Sequence, residues 1–474
     1  MRPKEWRIAF LNPQGNFDAH DHYWTQHPDF GGQLVYVKEL ACAMSQMGIR
    51  ADIITRRMTD PDWPVFGDPL DRYEGFEGVR IIRIPCGPPH FLPKELLWPH
   101  LEAWSKRIAQ FYEQEGSYPD FWTGHYGDGG ISAAFLCSHT SIPFSFTGHS
   151  LGAQKIDKLG LSDHPDDKVY RQFRFSLRLA AERTAMRYAS SIMVSTTMEQ
   201  NEQYAHPLYH GWVDSYDDSK FAVIPPGVNL SIFHPTLSKK DEEAVKTPIP
   251  LDRPLIILSS RIDPKKNHLS VIKAYAASSW LKRNARLLIV VRGYSNLMEQ
   301  YRKMPSPDRE LVEQWIEVIR EEGLEDSVLF ADISDQSMLA SLYRLAGRHR
   351  SVFCSTPLYE PFGLTVIEAM GCGLPVVATQ NGGPSEILRD RDTRFGILVD
   401  PTDISDISQG LEQVLREGPL YEELVQKGIQ RVNDRYTWRS TAQGYVERIR
   451  IIKEAEISQR PNLRPFQQAL TDFE

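Results

Sequence analysis

The sequence is short of the features that mark secreted, membrane-bound or nucleic-acid-binding proteins. Five cysteines (Cys42, Cys86, Cys137, Cys354, Cys372) are scattered through 474 residues with no CxxC spacing. That argues against a disulfide framework and fits reduced, buried thiols in a cytoplasmic protein. There is no apolar run of membrane-spanning length and no N-terminal signal pattern, so insertion and secretion are not expected. A formal net charge of -8 with no long basic run argues against a nucleic-acid partner. Internal repeats and low-complexity segments are absent as well. What remains, 41% hydrophobic and 24% charged residues, is the make-up of a globular protein. Its length exceeds one ordinary core and implies two or three domains.

Ser355 to Gly373 organises the second half. The apolar run Ser351–Cys354 reads as a strand, a Pro- and Gly-bearing turn follows, and Gly363–Met370 reads as a helix. First-turn amides at Gly363, Leu364 and Thr365 have no intrahelical partner, so with the helix dipole they form an anion site. Glu360 and Glu368 cannot bind an anion and need hydroxyl donors, which a sugar or ribose supplies. A solvated acidic face is the bland alternative. Upstream, the strand-like Pro254–Ser259 leads into Ser-Arg-Ile-Asp-Pro-Lys-Lys-Asn, placing Arg261 and Lys266 beyond a strand's C-terminal end, where α/β sheets bind ligands. Two cations and a helix N-terminus can hold a diphosphate.

Glu360 and Glu368 around Pro-Phe-Gly-Leu, preceded by Ser-Ser-Arg-Ile-Asp-Pro-Lys-Lys-Asn, resemble the signature of retaining nucleotide-sugar glycosyltransferases. The resemblance implies an α/β protein with two facing Rossmann-like domains (GT-B type) and an active site in the interdomain cleft. It covers Ala9 to about Tyr445.

The first half opens with a strand at Trp6–Leu11, a loop over Asn12–Gly31 long enough to be functional, and a helix from about Gln33 to Met47. Gly31 and Gly32 allow backbone to approach a ligand at that helix N-terminus, and Gln33 offers an amide; a merely flexible helix entry is the alternative. Strands at Phe121–Gly124 and Phe144–Gly148 each end in a His-containing turn, His125-Tyr126-Gly127-Asp128-Gly129-Gly130 and Gly148-His149-Ser150-Leu151-Gly152. These and Gly-Gly-Gln resemble acceptor-side motifs of the sucrose-forming branch, which holds sucrose-phosphate synthases and sucrose synthases.

Those two differ in whether the acceptor carries a phosphate. Lys94, Lys155 and a helix bearing Arg171, Arg174 and Arg178 on one face could form a phosphate pocket. A solvated basic face balanced by Asp163, Asp166 and Asp167 is the alternative reading. Synthases using the phosphorylated acceptor tend to carry two adjacent arginines here, whereas this chain has Leu177-Arg178. The expected domains are 1–235, completed by a C-terminal helix in 437–474, and 236–436, with Ser238–Arg253 an exposed linker and a loose tail after Arg460. With its first strand near the start of the sequence, neither the N-terminal extension of sucrose synthases nor an appended phosphatase domain is expected. Asn381-Gly382-Gly383-Pro384-Ser385-Glu386 is a second-tier donor motif.

The resemblance implies glucosyl transfer with retention from a nucleotide-diphosphate glucose, expected to be UDP-glucose, to fructose 6-phosphate. His149, Arg261, Lys266 and Glu360 are the expected catalytic residues. Gly32, Phe362, Gly363, Leu364, Thr365 and Glu368 join Arg261, Lys266 and Glu360 on the donor. Gly31, Gln33, Lys94, Tyr126, Ser150, Lys155 and Arg178 are expected on the acceptor. No Asp-x-Asp motif sits at an evident donor site to demand a metal, so no cofactor is expected to be obligatory, with Mg2+ at most a stimulant. A separate sucrose-phosphate phosphatase is a candidate partner. Sucrose synthase acting on free fructose, mannosyl transfer to fructose 6-phosphate, and a non-catalytic nucleotide-sugar sensor are the competing readings.

Overall fold

The computed structural model describes residues 6–24, 29–161, 168–245, 249–294, 297–333, 335–455 and 460–473. The chain divides into two compact units, Met1–Pro225 with Trp438–Glu474, and Pro226–Thr437. The division precedes the expected Pro235 because Val228 bridges to Thr437 and, with Phe233, enters the second unit's core.

Unit 1 holds an eight-stranded sheet. Its strands are β1 (Arg7–Leu11), β2 (Arg50–Arg57), β3 (Leu70–Asp71), β4 (Val79–Pro85), β5 (Phe121–His125), β6 (Phe144–Thr147), β7 (Ser191–Val194) and β8 (Phe221–Val223). They lie in the order β3-β4-β2-β1-β5-β6-β7-β8, all pairs parallel except β3–β4. Helices cover both faces, so strands such as β5 and β6 are buried along their whole length, the polar Thr123 and Ser145 included. Helix α1 (Gly32–Gln46) buries Leu34, Val37, Leu40, Ala41 and Met44, spaced to make one apolar stripe. The helix Trp438–Glu454 packs against it, its Tyr445 hydroxyl 3.0 Å from that of Tyr36 and 2.9 Å from Thr147 Oγ1.

Unit 2 repeats the scheme with β9 (Leu255–Ser259), β10 (Arg286–Val290), β11 (Val328–Ala331), β12 (Val352–Ser355), β13 (Val376–Thr379), the hairpin β14–β15 (Arg389–Asp390, Thr393–Arg394) and β16 (Ile397–Val399). The six-stranded parallel sheet runs β11-β10-β9-β12-β13-β16. In both units the order reverses beside the first strand, between β1 and β5 and between β9 and β12. Crevices at such reversals, beyond the strand C-termini, are where doubly wound sheets bind ligands.

Four local expectations are corrected. The glycines after His125 form no turn: α2 (Leu101–Glu115) precedes β5, and α3 (Tyr126–Thr140) starts directly after it. A Cβ on Gly129 would lie 2.3 Å from the Leu11 carbonyl oxygen and one on Gly130 2.7 Å from the Phe146 ring, so glycine lets α3 press onto the sheet. The arginine helix is two helices, α4 (Gly152–Lys158) being followed by α5 (Lys168–Gln172) and α6 (Phe175–Tyr188). Arg174 at the break has φ +48, so Arg171, Arg174 and Arg178 do not share one helical face; Asp163, Asp166 and Asp167 lie outside the described residues.

The expected linker contains the helix Lys239–Ala244, opened by a Ser238/Asp241 capping box. Asp241 is buried and accepts hydrogen bonds from Arg344 Nε (3.0 Å) and Ser341 Oγ (2.7 Å). Burial alone would raise its pKa, but these donors outweigh that and hold it well below the usual carboxylate range. The tail is not loose either: Arg464–Phe473 is helical with Pro465 in its first turn, where a missing N–H costs nothing. Phe466 is buried against Trp98 and Phe135.

Candidate active site

In unit 2 the three loops leaving β9, β12 and β13 are tied together. Leu358 N donates to the Lys265 carbonyl (2.9 Å), Asn267 Nδ2 to the Thr356 carbonyl (3.0 Å), and Asn381 Nδ2 to the Leu358 carbonyl (3.0 Å). Asn267 makes its bond from the left-handed region at φ +60. Lys266 Nζ donates to Glu360 Oε2 at 2.8 Å, both side chains partly exposed. Arg261 is exposed and forms no ion pair among the described residues. The expected donor residues of these loops therefore converge on one edge of the sheet.

Gly363, at φ +104, caps the helix Leu364–Gly371, whose first amides are those of Leu364 and Thr365. Phe362 is buried beneath the cap, while Leu364 stays exposed. Beside this N-terminus stands a second, that of Gly383–Leu388, locked by Gly383 N donating to the Glu360 carbonyl at 2.8 Å. A Cβ on Gly382 would lie 2.0 Å from the Glu360 carbonyl oxygen, and one on Gly383 2.2 Å from that of Phe362. The Asn-Gly-Gly-Pro turn, ranked second from sequence, thus sets the position of Glu360. Glu368, one face along the first helix, is partly exposed, and desolvation pushes its carboxyl up to about 7.

In unit 1 the loops after β1, β5 and β6 carry the acceptor candidates. Gly31 and Gly32 are exposed at the start of α1, with nothing within 4 Å of a Cβ placed on Gly32. Gln33 Nε2 donates to Asn12 Oδ1 at 3.2 Å. Lys94 is already partnered, its Nζ 2.5 Å from Oδ1 of the buried Asp29. Arg178 is not on a solvated face: it is buried, donates from Nε to Glu182 Oε1 (2.9 Å) and from a terminal nitrogen to the Ser150 carbonyl (2.6 Å), and stacks 4.6 Å from the Tyr126 ring. Lys155 lies 3.7 Å from the Phe173 ring centroid and makes no ion pair among the described residues. Burial lowers its pKa, and the charges of Arg178 and Lys94 lower it further, so the three cations are neighbours.

Tyr126 (φ +65) and His149 (φ +54) both sit in the left-handed region just past β5 and β6. Non-glycine residues held there concentrate at functional sites. His149 Nε2 is 2.9 Å from His125 Nδ1, and Tyr36 packs edge-on at 5.0 Å. Burial pushes the His149 pKa down to about 4.

Three residues escape sequence reasoning. Glu182 gathers Arg178, the Gly152 amide and Tyr209 (2.5 Å) and so fixes the start of α4. Its i,i+4 spacing from Arg178 is the one signal that could have revealed it. Asp29 neutralises Lys94 from across the loop, which nothing in the sequence announces. Asp128 is buried in the first turn of α3 with Oδ2 unpartnered, and burial pushes it up to about 7.

Known proteins match this arrangement. The family described as "Glycosyl transferases group 1" matches residues 239–431, and "Glycosyl transferase 4-like domain" matches residues 31–210. A probable sucrose-phosphate synthase of Thermosipho melanesiensis is 44% identical, with 94% of this chain and 96% of that one covered. The chain belongs to the sucrose-phosphate synthase family. It is accordingly a glycosyltransferase of the GT-B fold class. Against a probable sucrose-phosphate synthase of Oryza sativa, identity is 31% over 95% of this chain, which spans 48% of that relative's length. Sucrose-phosphate synthase from Thermosynechococcus elongatus shares the fold at TM-score 0.66 and 24% identity, covering 95% of this chain and 100% of that one. Anabaena HepE in complex with UDP and glucose does so at TM-score 0.60 and 14% identity, covering 94% and 100%. Among the described residues no helix is long and apolar enough to cross a membrane.

Proposed function

We propose that this glycosyltransferase moves glucose from UDP-glucose to fructose 6-phosphate with retention of configuration, giving sucrose 6-phosphate. The observation that carries the reading is the Lys266–Glu360 pair at a helix N-terminus, a cation for a diphosphate beside a carboxylate for sugar hydroxyls. The names of the relatives support sucrose-phosphate synthesis.

In the proposed step the bond from the anomeric carbon to the diphosphate oxygen breaks, and a bond to the acceptor hydroxyl forms on the same face. The acceptor's proton passes to the departing diphosphate. Arg261, Lys266 and the amides at Gly363–Thr365 stabilise the charge that develops there, the largest single lever an active site has. Glu360 holds glucose hydroxyls, Glu368 the ribose, and His149 a hydroxyl of the sugar or acceptor. No metal is required, so EDTA leaves turnover in place and Mg2+ adds at most a modest stimulation. Lys155 supplies the acceptor phosphate with its unpaired cation, assisted by Arg178 and Lys94. The reaction is assigned to the cytoplasm, with a separate phosphatase to remove the product's phosphate.

A sucrose synthase acting on free fructose is the second reading, favoured by the internal pairs that already neutralise Lys94 and Arg178. Incubating purified protein with UDP-glucose and fructose 6-phosphate tests the proposal. A product with the mass of a sucrose monophosphate and an α-anomeric proton signal is expected; hydrolysis of the donor without such a product refutes it.

A further inference from the structure

We propose that His125 is a positioning residue that, held by Thr123, fixes His149 in the tautomer with its proton on Nε2 and a bare lone pair on Nδ1. The contacts form a chain from the sheet outwards. The Thr123 hydroxyl donates to the Ala9 carbonyl oxygen (3.4 Å), which uses its one proton. Its oxygen is then an acceptor for His125 Nε2, 3.2 Å away. A neutral imidazole that donates from Nε2 has a lone pair on Nδ1, and His125 Nδ1 is the atom 2.9 Å from His149 Nε2. With the Thr123 proton on Ala9, His149 donates from Nε2, leaving Nδ1 as acceptor. No described residue is hydrogen bonded to that Nδ1, and His149 is partly exposed.

Both rings are neutral near pH 7, which the argument requires. Burial, with His149 as neighbour, holds His125 well below its ordinary value, and burial holds His149 at about 4. Both orientations are also pinned. His125 lies wholly buried under Phe10 (5.8 Å), the two imidazoles stack at 5.2 Å, and Tyr36 abuts His149 while its hydroxyl is engaged with Tyr445. The second nitrogen of a histidine sets what the first can do. A bare Nδ1 accepts a hydrogen bond from a hydroxyl, so this relay defines which hydroxyl orientation the site rewards. That consequence rests on the proposed glucosyl-transfer reading; the tautomer itself does not.

The test is 15N-detected tautomer assignment in protein labelled at histidine, together with steady-state kinetics. Wild type is expected to show His149 protonated at Nε2. Thr123→Val removes the acceptor for His125 Nε2, so His125 should shift its proton to Nδ1 and drive the His149 proton to Nδ1. Turnover should fall about tenfold, the worth of one hydrogen bond. His125→Phe should lose a similar factor. His125→Asn, whose carbonyl oxygen can replace Nδ1 as acceptor, should recover most of it, a pattern that packing alone does not produce. A wild-type His149 protonated at Nδ1, or a Thr123→Val protein unchanged in both tautomer and turnover, overturns the proposal. Should His149→Ala turn over like wild type, the hydroxyl-contact reading falls while the spectra still decide the relay.

Discussion

Lys266 and Glu360 form a 2.8 Å ion pair although 93 residues of chain separate them, roughly the length of three β-α units. With both side chains partly exposed, such a pair contributes at most about 1 kcal/mol to stability. It suits a site better than a core.

Lys266→Ala should therefore fold normally and lose about 100-fold or more in turnover, since one preorganised charge stabiliser is worth on the order of 3 kcal/mol in a transition state. Arg261→Ala should behave alike. Glu360→Gln should also lower turnover, but with UDP alone its affinity should be equal or tighter, because Lys266 is released to the diphosphate. Calorimetric titration with UDP and turnover at saturating donor check all three. Near-normal turnover in both cation variants contradicts the diphosphate assignment.

Glu368 gives a pH-dependent prediction. Its folded-state pKa, about 7, exceeds the unfolded value of 4.5, so the folded state binds the proton more tightly. The resulting stability is fully present below pH 4.5 and is lost as pH rises through 7. Glu368→Gln should match wild type in melting temperature near pH 4.5 and exceed it at pH 8. If the carboxylate also accepts from ribose, wild-type donor affinity should rise with pH across 6–8, and the variant's should not.

On the acceptor side the structure separates two lysines and an arginine that sequence treats alike. Arg178→Ala leaves Glu182 buried without its cationic partner, a change that typically costs about 3–5 kcal/mol, so lost activity there would conflate folding with binding. Lys155 pairs with no carboxylate among the described residues, so Lys155→Ala should fold normally and raise the Michaelis constant for fructose 6-phosphate at least about tenfold. Thermal melts and initial rates distinguish the two outcomes.

The sequence made parallel strands such as β9 and β10 legible because both faces are covered and each is a near-continuous apolar run. It also made the donor loops legible, since Arg261, Lys266, Glu360 and Gly363 all lie just past strand ends. Glycine was ambiguous. In α3, Gly129 and Gly130 answer to close packing on Leu11 and Phe146 rather than to a turn, and their local context looks the same either way. Periodicity could not foresee the break at Arg174, whose left-handed backbone separates α5 from α6. The pairing of Lys94 with Asp29 and of Asp241 with Arg344 is tertiary, joining residues 65 and 103 positions apart. Charge runs therefore read as solvated where they are anchored. Pro461 and Pro465 suggested a loose tail, while Phe466 supplied the anchor that made a helix there.

The acceptor decides the central claim. Initial rates of wild-type protein with UDP-glucose and either fructose 6-phosphate or free fructose give two values of kcat/KM. A ratio of about 100 or more in favour of the phosphorylated acceptor, the worth of one or two charge-assisted contacts, is the result predicted here. Equal use of the two sugars, or preference for free fructose, would contradict it.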